Sequence, residues 1–143
     1  MGMYTGVRCK VIIKSKFREE FDRIANEFNY EWSESNIDFI QNYAEKRLAT
    51  FIPRGVLCYM PDEWESTYSK KEFKTSFNKE NGLWTFQCSM KNYDLTIDYF
   101  CQNVLARIIE KIIHLEGYYE ENVSSVFYKL ENNKIVKDYD KEG

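Results

Sequence analysis

Residues 84–114 read WTFQCSMKNYDLTIDYFCQNVLARIIEKIIH, and a change of period inside this stretch decides the fold class. Trp84, Phe86, Cys88 and Met90 alternate with Thr85, Gln87 and Ser89, the period-two pattern of a strand with one apolar face. From Leu95 onward the apolar residues recur at helical spacing. Ile97, Phe100, Cys101, Val104, Leu105, Ile108 and Ile112 form one stripe. Asp94 is a suitable N-cap, Asp98 falls in the first turn and Lys111 in the last, as the helix dipole favours, and Gly117 can end the run. The pattern predicts a helix from Leu95 to His114, roughly 30 Å long at 1.5 Å per residue.

Upstream of this stretch, Phe73, Thr75 and Phe77 alternate and lead into an Asn- and Gly-rich turn over residues 78–82, which predicts a hairpin with the Trp84 strand. Residues 5–14 read as another strand, with Val7, Cys9, Val11 and Ile13 on its apolar face. Two helices follow. Ser15 can cap the first, whose stripe is Phe17, Phe21, Ile24, Ala25 and Phe28. The second opens on Ser35-x-x-Asp38 and carries Ile37, Ile40, Ala44 and Leu48. Residues 51–60 suggest a bent strand whose best part is 56–60, ended by Pro61. Downstream, residues 118–139 suggest a hairpin turning on Asn132-Asn133.

The order β-α-α-β-β-β-α-β-β predicts an α+β fold: an antiparallel-dominated, mixed sheet with helices on one face. A ferredoxin-like split β-α-β variant, with an extra helix and an extra terminal strand, accommodates it. At 143 residues, with no repeat and no Pro/Gly/Ser linker, the chain reads as a single α+β domain over 1–143. The second face of the sheet must then meet solvent, a partner or a ligand.

The formal charge of −3, with both signs interspersed, gives no basic stripe, so a general nucleic-acid binder is not expected. No stretch approaches 18 consecutive apolar residues, and Met1 to Gly6 lacks the features of a signal peptide. The expected location is cytoplasmic, with no membrane contact. The cysteines Cys9, Cys58, Cys88 and Cys101 form no C-x-x-C pair, and His114 is the one histidine. Closely spaced zinc ligands are therefore missing, and the thiols are expected to be reduced and structural. Neither a metal nor another cofactor is expected.

Phosphate-binding glycine loops and the G-x-S-x-G elbow are absent, so no catalytic residue is assigned. His114, placed in the last helical turn, reads as a helix-end residue. Two groupings of aromatic and acidic residues remain: Asp62, Glu63 and Glu65 around Trp64, and Glu116, Glu120 and Glu121 around Tyr118 and Tyr119. Such groupings suit solvated surface, contact with a protein partner, or acid–base and metal chemistry. The candidate binding residues are Asp62, Glu63, Trp64, Tyr118, Tyr119 and Glu120.

The stretch from Ile52 through Pro61 to Trp64, with the stretch from Gly82 to Asp94, resembles small uncharacterised proteins of Gram-positive bacteria and their mobile elements. The element order is similar to ferredoxin-like domains of unknown function in phage and plasmid proteins. The resemblance implies a setting of phage–host or toxin–immunity conflict, in which small acidic α+β proteins bind and block a partner. The leading expectation is a non-enzymatic binding protein of the immunity or anti-defence type, acting on a protein partner. The alternatives are a small-molecule or nucleotide binder with an aromatic pocket and, behind it, a metal-dependent hydrolase. Oligomeric state is not legible.

Overall fold

The structure is a computed structural model, and it describes residues 4–27, 30–54, 57, 60–61, 64, 67–68, 71–92, 95–119 and 124–139. Alternation in the first strand sets the centre of the molecule. In β1 (Tyr4–Ile13) the odd-numbered Val7, Cys9, Val11 and Ile13 are all buried on one face. β1 pairs antiparallel with β3 (Leu83–Lys91) on one edge and with β4 (Ile109–Tyr119) on the other. The register sets Cys9 opposite both Phe86 and Leu115, so the apolar faces of three strands coincide.

The remaining strands are short. β2 (Ser76–Phe77) pairs with β3 through a turn in which Gly82 has φ +77°. β5 (Val126–Glu131) and β6 (Lys134–Lys137) form the terminal hairpin, with Asn132 and Asn133 both left-handed, as a two-residue turn requires. The sheet order is β2-β3-β1-β4-β5-β6, antiparallel throughout. Thus β3 lies between β2 and β1, and β1 lies between β3 and β4, so two β-α-β connections interleave. The protein is an α+β fold with a curled six-stranded antiparallel sheet.

Three helices cover the odd-numbered face of β1. They are α1 (Arg18–Asn26), α2 (Asp38–Ala44) and α3, which runs over residues 96–108. Phe21 and Ile24 of α1, Ile40 and Tyr43 of α2, and Phe100, Val104 and Leu105 of α3 are buried together. Their aromatic rings meet edge to face: Phe21 on Trp84 at 5.3 Å and Trp32 on Phe100 at 5.6 Å. Each large side chain so buried contributes about 1.5–3 kcal/mol before ordering entropy.

Four local expectations change. The long helix stops at Ile108, and residues 109–119 are strand. Ile108, Ile109, Ile112 and Ile113 fit a helical stripe, but β-branched residues are equally suited to a pleated surface, and β1 supplies nine pairing partners. His114 therefore lies in a strand and not at a helix end. The helix also starts differently. Leu95 is left-handed at φ 55°, and the N–H of Ile97 donates to Asn92 Oδ1 at 2.8 Å; Asp94, the expected cap, lies outside the described residues. Finally, Phe51–Arg54 is a kinked helical segment, and most of the strand expected over 56–60 lies outside the described residues. Ser15 opens a 3-10 turn (Ser15–Phe17) and Ser35 closes another (Trp32–Glu34), so neither stands at the N-cap of an α-helix. Ser35 Oγ instead donates to Glu20 Oε2 at 2.6 Å.

Candidate functional site

On the second face of the sheet the even-numbered residues of β1 meet their partners: Arg8 opposite Glu116, Gly6 opposite Tyr118 and Lys10 opposite His114. This face is covered. Trp64, from the chain between Met60 and Phe73, lies over it at 5 % exposure. Gly6 makes the room, since a Cβ there would stand 2.6 Å from the Trp64 ring.

The Arg8 guanidinium stacks on the Trp64 indole at 3.8 Å and donates from Nη2 to the Trp64 carbonyl at 2.9 Å. Its Nη1 lies 3.5 Å from Glu116 Oε1, and both side chains are almost fully buried, at 1 % and 2 % exposure. Glu116 is the hub. Its Oε2 accepts from Trp64 Nε1 at 2.9 Å and from the Ser125 hydroxyl, and its Oε1 accepts from His114 Nε2 at 2.8 Å. Burial by itself raises the Glu116 carboxyl. The donations from His114, Ser125 and Trp64, with the Arg8 charge, outweigh it and hold the group below the usual carboxylate value. His114 is boxed by Phe73, Tyr68 and Phe127, with ring centroids 4.9, 5.3 and 5.5 Å away.

This cluster is a clamp. The carboxylate stands in the middle, where a serine–histidine relay would need the imidazole, and Ser125 and His114 both spend their protons on it. Its bonds join the Trp64 segment, β1, β4 and the start of the terminal hairpin.

A second feature opens on the helical side. A recess of about 240 Å³ lies between the start of α3 and the ends of β1, β4 and β5. Val7, Ile97, Cys101 and Leu115 give it an apolar floor, and Tyr119 and Tyr128 line its sides. Tyr119 is 38 % exposed. Asn92 and Asp98 stand together there, with Asn92 Nδ2 donating to Asp98 Oδ2 at 2.9 Å.

The expected binding residues separate accordingly. Trp64 is buried in the clamp and stacks on Tyr118 at 5.6 Å, so it is not available as a surface anchor. Its indole N–H finds a buried carboxylate that its polar sequence neighbours do not reveal. Tyr118 and Tyr119, adjacent on a strand, point to opposite faces, and Tyr119 leaves the core. Asp62, Glu63 and Glu120 lie outside the described residues, as do Glu65 and Glu121. Arg8, His114, Glu116 and Ser125 were not singled out as a cluster. The available signal was the period-two run His114, Glu116, Tyr118 directly after the isoleucines, which belongs to a strand.

Cys9, Cys88 and Cys101 are buried free thiols; Cys58 lies outside the described residues. Burial raises all three, Cys88 and Cys101 to about 12. Among the described residues no three His, Cys, Asp or Glu side chains converge to hold a metal, and no helix is long and apolar enough to cross a membrane. Comparison with protein-family models, curated proteins and solved structures finds no match to this chain.

Proposed function

We propose that the protein is a non-enzymatic binding protein that engages a protein partner through the surface around Tyr119. One observation carries this reading: a part-exposed tyrosine at the side of an apolar-floored recess of about 240 Å³. Pockets for drug-sized ligands run to roughly 300–1,000 Å³. The recess is smaller and matches one inserted side chain, the geometry of an interface anchor and its pocket. At this recess the same comparison ranks the small-molecule alternative second. The groups that hydrolytic chemistry would use, Glu116, His114 and Ser125, are bonded to one another inside the clamp. The immunity or anti-defence setting implied by the resemblance says where to seek the partner.

The experiment is a quantitative binding comparison. A partner recovered from the native host is titrated against wild type and Tyr119→Ser, with thermal melts alongside. Tyr119→Ser should weaken binding by about 2 kcal/mol, as truncation of an anchor does, with little change in stability. Equal affinity in the two proteins would remove this surface from the interface.

A further inference from the structure

We infer that the recess between α3 and β4 receives a basic side chain, lysine or arginine, presented by the partner; this rests on the protein-binding reading above. The argument is one of complementarity. Among the described residues, the charged members of the lining are Asp98 and Glu116. Glu116 spends its carboxylate on the other face of the sheet, against Arg8 and His114, which leaves Asp98 to set the charge of the recess. Asp98 is exposed, and Asn92 Nδ2 donates to its Oδ2.

At the start of α3 the N–H of Ile97 is already taken by Asn92 Oδ1. The negative field reaches inward. After burial, Asp98 is a further cause that holds the Cys101 thiol up at about 12, and it adds to the burial and Cys101 effects that hold the Tyr128 phenol there.

A lysine or arginine answers each part of this lining. Its aliphatic stem covers the floor of Val7, Ile97, Cys101 and Leu115, as long cationic side chains do on apolar surface. Its charged end meets Asp98 and the Tyr119 ring. An aliphatic anchor would leave Asp98 without a counter-charge, and an acidic one would be repelled. The net charge of −3 favours encounter with a basic surface in the same direction.

The test is an amide-resolved NMR titration of the intact chain at fixed ionic strength. The probes are n-butylguanidinium, n-butylammonium, pentan-1-ol and valerate. The two cations should give saturable shifts at Asp98, Cys101, Gln102 and Tyr119. The neutral and anionic probes should not. Asp98→Asn should weaken the cations roughly fivefold, the upper end of what a part-exposed ion pair supplies, and Asp98→Glu should retain most of the binding. Equal binding of pentan-1-ol, unchanged binding in Asp98→Asn, or no saturable shift with either cation would overturn the inference. The two readings fail separately. Loss of partner affinity in Tyr119→Ser with none in Asp98→Asn would keep the interface and reject the basic anchor. Cation binding at the recess with unchanged partner affinity in Tyr119→Ser would reject the interface, and the partner-borne anchor with it.

Discussion

The Glu116 carboxylate shows how much one residue can be asked to hold. It is 2 % exposed and faces a guanidinium, an imidazole, an indole N–H and a hydroxyl. Removing one member of such a buried ion pair strands the other, so Glu116→Ala should cost about 3–5 kcal/mol in a urea melt. A loss under about 1 kcal/mol would mean that Arg8 is solvated and the clamp is open. The same carboxyl also makes a pH prediction. Its folded value lies below its unfolded one, so the unfolded chain binds the proton more readily. Its stabilisation is complete above the ordinary carboxylate range and is lost as pH falls through the folded value. Stability measured downward from neutral pH should therefore decline on the acid side, and Glu116→Gln should flatten that decline. An acid limb of unchanged slope in Glu116→Gln would contradict the assignment. The buried thiols give a third outcome at this scale: Cys9, Cys88 and Cys101 should resist iodoacetamide until the chain unfolds. Labelling of Cys88 in the native protein at the rate of a free thiol would show that β3 opens.

Among the elements, β1 and β3 are buried on both faces, and β1 lies under helices on one side and under Trp64 on the other. Its glycine matters for that reason. At Gly6 a methyl group would press on the Trp64 ring at 2.6 Å and on the Met60 side chain at 3.0 Å. Gly6→Ala should cost about 1–3 kcal/mol through overpacking, read as a lower urea midpoint. A neutral or stabilising effect would place Trp64 away from the sheet. The clearest limit on reading the sequence lies at the join of α3 and β4. Ile97 through Ile108 was legible as a helix because its stripe is long and regular, and those side chains are buried as expected. The next residues were not, because the isoleucines at 108, 109, 112 and 113 satisfy a helical period while their branching suits a strand. Pairing with β1 decides between the two.

For the molecule as a whole, pairing is uneven across the sheet. β4 pairs with β1 along nearly its whole length but, among the described residues, with β5 at only Glu116 and Gly117. The β5–β6 hairpin curls over α3, held there by Gln102 Nε2 donating to the Ile135 carbonyl at 2.9 Å and by buried Ile135. Cooperative units with few cross-strand bonds open first. Native-state hydrogen exchange should therefore find the β1 amides slowest and those of β6 substantially faster. Equal protection in β1 and β6 would show one cooperative sheet.

The sequence by itself determined the elements whose pattern is local. The alternation of β1 and β3, the stripe of α3 as far as Ile108 and the Asn132-Asn133 turn all follow from side-chain period and backbone preference within a few residues. It also determined the α+β class, because strand and helix periods alternate along one chain. Only the tertiary structure decided what covers the second sheet face. Trp64 looked like a surface residue because its neighbours are polar and aperiodic. Its indole is buried because Gly6 leaves space, Arg8 stacks on the ring and Glu116 accepts its N–H, and these partners are 52 or more residues away in the chain. A buried polar group is stable only when its partners converge, and convergence across such separations is a property of strand register, which no local pattern encodes.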